Sequence, residues 1–190
     1  MVDPTSDTFR VIGIDPGSYK TGFSALSYGY DNTVKAEHVF TSDYTGKLPR
    51  YHDLALIHGE RQMRVQCICD DLKDLIDEFQ PHWIISESPF AKHIQTYAVL
   101  TECVAAFRAV SMAYDPYVPF EIIDPISAKR NIGVKLGKGS SKERKDKDLV
   151  EKLVRQRKDL IGFDKHVIDE HCSDATAIGL VVIDRMFGKF

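Results

Sequence analysis

Four residues of the sequence stand where polar groups close a strand or open a helix: Asp15 at the end of FRVIGID, Glu87 at the end of HWIISE, and His171 and Asp174 near the start of EHCSDATAIGL. An i, i+3 pair shares one helical face, so His171 and Asp174 can act together. Gathered carboxylates repel one another. Two unit charges about 4 Å apart do so by roughly 4 kcal/mol at an effective dielectric of 20, so converging anions take up protons or call for cations. Hard oxygen donors with at most one imidazole suit Mg²⁺ or Mn²⁺. Two such ions about 3.5–4 Å apart can activate water and stabilise the leaving oxygen of a phosphodiester. Taken singly, each residue has an ordinary role: an Asp before Pro-Gly forms turns, a strand-end Glu is solvated, and His-x-x-Asp at a helix start caps it. Their joint placement is what points to chemistry.

The elements that must position them follow from periodicity. Residues 9–15 form a short apolar run with β-branched residues, closed by Pro-Gly-Ser, and read as a buried strand. Residues 21–28 and 33–40 alternate loosely around Gly29, Asp31 and Asn32, as in an antiparallel meander. From about His52 to Phe79, apolar residues including Leu54, Ile57, Val65, Ile68, Leu72 and Phe79 recur at helical spacing, so one long amphipathic helix is expected, stopped by Gln80-Pro81. HWIISE reads as a fourth strand covered on both faces. A second helix over about 91–113 and a short strand at Phe120–Ile123 lead into a basic segment. A last helix spans about Glu170–Phe187, with Asp169 as N-cap. The order predicts an α/β fold: a mixed five-stranded sheet, its three antiparallel strands first, flanked by helices. The first and fourth strands are expected to be neighbours, with Asp15 beside Glu87.

Composition sets the limits. The chain has 190 residues, 43% of them hydrophobic, enough for one substantial core, so a single domain over 1–190 is expected. No run approaches the roughly 18 apolar residues of a membrane span, and MVDPTSDTFR lacks the basic and apolar regions of a secretory signal. A cytoplasmic setting is expected, with no membrane partner. Cys67, Cys69, Cys103 and Cys172 lack the spacing of a zinc site or a disulfide framework and read as reduced, mostly buried thiols. The net charge of −3 conceals a strong asymmetry. Residues 129–158 hold twelve Lys or Arg against four acids, a net of +8, which leaves the rest at −11. Such a distribution suits a local phosphate-binding face, though a solvated helical charge run has the same composition.

GIDPGSYKTGF (13–23) closely resembles the first motif of the RuvC resolvases. FQPHWIISESPF (79–90) resembles their second, and EHCSDATAIGL (170–180) looks like their third, in the same order and spacing. The resemblance spans nearly the whole chain. It implies an RNase H-like fold and a metal-dependent Holliday-junction resolvase, a homodimer that nicks four-way DNA junctions symmetrically using Mg²⁺ or Mn²⁺, with two ions per site. It implies Asp15, Glu87, His171 and Asp174 as the metal-binding quartet, with Glu170 as the alternative to His171. Phe90 would be the aromatic that distorts the junction centre, and Lys129 the first of two working lysines. The second stays open among Lys138, Lys142 and Lys145, because this sequence departs there from the family's pattern. Arg130 and Arg144 join these lysines as expected DNA contacts.

Three other readings share these residues. A GIDPG-like turn also opens actin-like sugar kinases, but those usually carry two such domains. An RNase H-type or YqgF-like hydrolase acting on RNA or RNA–DNA hybrid would use the same carboxylates. A silent branched-DNA binder would need none of them.

Overall fold

The structure is a computed structural model that describes residues 8–46, 48–90, 93–134 and 143–188, with backbone alone for 143–147. The elements in chain order are β1 (Thr8–Asp15), β2 (Lys20–Gly29), β3 (Val34–Asp43), α1 (His52–His58), α2 (Glu60–Phe79), β4 (Trp83–Glu87), α3 (Ile94–Tyr114), β5 (Phe120–Ile123), α4 (Pro125–Asn131), α5 (Glu143–Gln156), β6 (Leu160–Ile161) and α6 (Glu170–Phe187). They build a mixed sheet of order β5-β4-β1-β2-β3-β6. β1, β2 and β3 are antiparallel neighbours, while β4 runs parallel to β1 and β5 parallel to β4. The expected α/β architecture is present, with one strand more than the sequence suggested: Leu160 and Ile161 pair in parallel with Val34 and Lys35 of β3.

Strand alternation sorts the side chains onto two faces. Ile12, Ile14, Phe23, Ala25 and Ile84 meet α2 and α3 in one core, with Leu72, Ile76 and Phe107 among the fully buried residues. Val11, Leu26, Val34 and Ile85 meet α4, α5 and α6 in the other, filled by Ile178, Val182 and Val154. By the same alternation Asp15, two residues beyond Gly13 and four beyond Val11, belongs to the α6 face, as does Glu87, two beyond Ile85.

The helix expected over 52–79 is broken in two by Gly59, whose φ of 88° belongs to no helix. None of the residues of α1 is buried, so Leu54 and Ile57, read from the sequence as part of a buried stripe, face outward. The four cysteines are free and buried. Among the described residues, no helix is long and apolar enough to cross a membrane.

Candidate active site

The register of β1 with β4, ending in Ile14 opposite Ser86, leaves Asp15 and Glu87 side by side at the strands' C-terminal ends. α6 reaches them by lying almost on the sheet, and glycine makes that approach possible. A Cβ on Gly13 would stand 2.2 Å from the carbonyl oxygen of Ala175, and one on Gly22 would stand 2.1 Å from that of His171. No side chain fits such gaps. Ser24 Oγ donates to the Ala175 carbonyl at 2.9 Å and ties the helix to β2. At its start, Asp169 is the N-cap, accepting the Cys172 N–H at 2.9 Å and the Thr41 hydroxyl at 2.7 Å. β3 therefore fixes where α6 begins, and with it the position of His171.

His171 Nδ1 lies 2.7 Å from Asp15 Oδ2. That hydrogen bond, with burial opposing and the Asp15 charge assisting, raises the imidazole above its ordinary pKa. Glu170 Oε1 is 3.7 Å from the ring's other nitrogen. Glu87 is pushed up to about 8, first by burial, then by the charges of Asp15 and Asp174, with Lys129 acting the other way and a hydrogen bond to Asp15 adding to the rise. Burial and the neighbouring carboxylates thus favour the protonated form of Glu87. Asp15 is itself mostly buried, at 9% exposure.

The structure brings Asp15, Glu87, His171, Asp174 and Lys129 to one end of the sheet. Lys129 is supplied by α4, whose N-cap Asp124 accepts the Ser127 N–H at 2.9 Å. Arg130, on the same turn, is exposed. Phe90 lies just beyond β4 with its ring 72% exposed, outside both cores. Lys138 and Lys142 lie outside the described residues. Arg144 and Lys145 fall in the first turn of α5, where the backbone alone is described.

As they stand, no three His, Cys, Asp or Glu side chains among the described residues are grouped to hold a metal ion. The donor set nonetheless fits a hard divalent cation in kind. Carboxyl groups from β1 and α6 are near enough to suppress the ionisation of Glu87 on β4, and a cation would relieve that repulsion in place of a proton.

Sequence reasoning missed an ion-pair network beneath the basic segment. Asp184 of α6, almost fully buried, accepts from Arg157 Nη1 at 2.6 Å and from Asn131 Nδ2 at 2.7 Å, and Arg157 also binds Asp159. Both described ends of that segment are thereby fastened to the helix that carries Asp174. The charged residue inside the apolar run AIGLVVID was the available signal.

The fold is of the mixed α/β class, a six-stranded sheet flanked by helices with Asp15 and Glu87 at the C-terminal ends of two parallel central strands. Within that class it superposes on Thermus thermophilus RuvC in complex with a Holliday junction substrate, with a TM-score of 0.67 at 19% identity over 94% of this chain and 97% of that one. Yeast mitochondrial Holliday junction resolvase Ydc2 gives a TM-score of 0.58 at 17% identity, over 93% and 78% of the two chains. In sequence, the crossover junction endodeoxyribonuclease RuvC of Methylobacillus flagellatus is 27% identical over 163 residues, 82% of this chain and 78% of its own. The RuvC of Hydrogenovibrio crunogenus is also 27% identical, over 117 residues that make up 56% of this chain and 59% of its own. No family model matches the chain. In both fold and sequence, then, the chain is similar to the RuvC resolvases.

Proposed function

We propose that this chain is a metal-dependent Holliday-junction resolvase, a structure-selective DNA endonuclease that makes paired, symmetric nicks in four-way junctions. The observation that carries this reading is the convergence of Asp15, Glu87 and Asp174 from three separate elements on a RuvC-type fold, with His171 and Lys129 beside them. Asp15, Glu87 and Asp174 would hold Mg²⁺ or Mn²⁺, with His171 or Glu170 completing the set. When bound, such cations supply activation of the attacking water and charge neutralisation at the departing 3′ oxygen.

The chain's own residues do the rest. Asp15 orients the His171 ring through Nδ1, so that its other nitrogen either completes the cation's ligand set or, where Glu170 does so, takes or gives a proton at the cleavage site. Lys129 sets a positive charge against the carboxylates and against the phosphate that must approach them. Phe90, exposed at the rim, offers an aromatic face to a base unstacked at the crossover. The products would be ligatable ends, a 5′-phosphate and a 3′-hydroxyl. A junction has twofold symmetry, so a homodimer with two dyad-related sites matches it. This reading takes residues 1–190 as a single nuclease domain with a basic segment at about 129–158, acting in the cytoplasm.

The test is cleavage of a synthetic mobile four-way junction with Mg²⁺ or Mn²⁺, both nicks mapped at nucleotide resolution. Symmetric paired nicks are expected. Cutting of RNA–DNA hybrid with the junction left intact would reassign the enzyme to RNA, and tight junction binding without any nick would make it a silent binder.

A further inference from the structure

On the other face of the same sheet end lies a cavity of about 660 Å³ that the chemistry just described does not use. Its walls are the turn after β1 (Ser18, Tyr19), the first half of α2 (Arg61, Arg64) and the first half of α3 (Gln95, Thr96), with the carboxylate of Glu102 at one side. The turn follows the strand that ends in Asp15, and α3 follows the strand that ends in Glu87, so the cavity sits beside the active site with the sheet's edge between them. The turn is firm: Thr21 Oγ1 accepts the Gly17 N–H at 3.1 Å and donates to the Gly17 carbonyl at 2.8 Å.

Arg64 is the unusual wall. Its residue is only 8% exposed, yet its Nε is buried and has no hydrogen-bond partner. Its guanidinium carbon lies over the Tyr19 ring, 4.1 Å from the centroid, a cation–π contact that restrains the head group beside the cavity. The acids nearby satisfy it poorly. Glu60 reaches Arg64 Nη1 only at 3.5 Å with an exposed side chain, and Glu102 reaches Arg61 only at 3.4 Å. A buried, restrained guanidinium with an unmet donor, a second arginine one turn earlier, and Ser, Gln and Thr side chains around them make a receptor for a tetrahedral oxyanion.

We infer that the cavity bounded by Tyr19, Arg61 and Arg64 binds a backbone phosphate of the DNA strand that runs past the active site. The inference rests on the nuclease reading above and deepens it. The basic segment leads out of the α4–α5 face and this cavity opens on the α2–α3 face, so the strand would be gripped from both sides of the sheet end. Arg64 supplies the fork, Tyr19 restrains it, and Arg61 adds the long-range charge.

The test uses the full chain carrying Asp15→Asn, so that the DNA stays whole, titrated against a labelled four-way junction and a linear duplex of the same sequence between 50 and 200 mM salt. Every phosphate that the protein ceases to hold flattens the dependence of log affinity on log salt by roughly 0.9. Arg64→Gln and Arg61→Gln should each do so, whereas Arg64→Lys keeps the charge and much of the slope. Arg61 is half exposed, so its variant carries the test should Arg64→Gln fold poorly. Unchanged slopes in folded variants overturn the inference. Inorganic phosphate at constant ionic strength forms a second arm. If it raises the melting temperature of the parent and not of Arg64→Gln while the DNA slopes stay equal, the site takes free phosphate, and the DNA assignment falls. A parent that binds junction and duplex equally defeats the four-way reading, while the slopes still decide whether the cavity holds a phosphate. A parent that binds neither defeats both.

Discussion

Asp15 is hydrogen-bonded to the imidazole of His171 and sits beside the carboxyl of Glu87, and its charge raises the pKa of both. Asp15→Asn removes that charge with little change of shape. We expect nicking of junction DNA to be abolished and junction affinity in the absence of metal to be equal or tighter, because one anion facing the phosphates has gone. Metal-dependent cleavage near the wild-type rate, followed on a denaturing gel, would take Asp15 out of the chemistry. Phe90 makes the opposite kind of forecast. With 72% of its surface in water it contributes little to the core, so Phe90→Ala should shift unfolding by no more than about 0.5 kcal/mol. It should nevertheless slow cutting of a fully paired junction, and Phe90→Trp should recover much of the rate. A large fall in melting temperature with normal cutting would defeat this.

Between residue and molecule stand the elements, and α6 is the one on which the site hangs. Gly13→Ala places a methyl against the Ala175 carbonyl oxygen and the Gly179 nitrogen, both backbone, with Ser24 Oγ the third near atom. Overpacking of this kind costs roughly 1–3 kcal/mol, and here it also lifts Asp174 away from Asp15. We expect a lower denaturant midpoint together with a loss of cleavage larger than the unfolded fraction explains. A variant as stable as the parent would show that the helix does not lie as close as described. At the far end of β1, His82 Nδ1 accepts the Arg10 N–H at 3.0 Å, which requires a neutral ring nitrogen. Burial first, and the Arg10 charge second, hold its pKa below the ordinary 6.5. A group depressed in the folded state contributes stability that is complete above its unfolded pKa and is lost as pH falls from there through the folded value. Melting temperature should therefore drop as pH falls below about 6.5. In His82→Asn, whose side-chain oxygen can accept the same N–H without titrating, that component should vanish. Parallel pH profiles for the two proteins would count against it.

These elements were legible to different degrees. Strands with five or more patterned residues and the helices α2 and α6 could be read from period alone, as could the N-cap at Asp169. β6 could not, since two residues carry no alternation. The break at Gly59 could not either, because a single glycine within helical spacing is tolerated in many helices and its φ is a tertiary matter. At the candidate site, the strand-end acids showed because a charge closes an apolar run. Arg64 did not, because an arginine on an amphipathic helix is read as solvated until the ring of Tyr19 is found beside it.

At the scale of the whole molecule, charge is divided as sharply as the core. The net +8 of residues 129–158 is fastened to α6 through the pairs of Arg157 and Asn131 with Asp184. Replacing Lys142, Arg144 and Lys145 together by Gln should lower junction affinity and reduce the salt slope by roughly 0.9 for each phosphate these side chains had neutralised. An identical slope would make the segment a solvated helix and nothing more. The long reach from Asp15 to His171 has one more consequence. Their hydrogen bond joins positions 156 apart in sequence, and the Ser24 tie to α6 spans 151. During synthesis at about 5–20 residues per second, the sheet's first strands wait many seconds for the helix that covers them and brings Asp174 to the other carboxylates. A ribosome-bound or prematurely terminated chain that lacks residues 170–187 thus has no complete catalytic centre, and fragments of this kind would pose no cutting hazard to the genome of the cell that makes them.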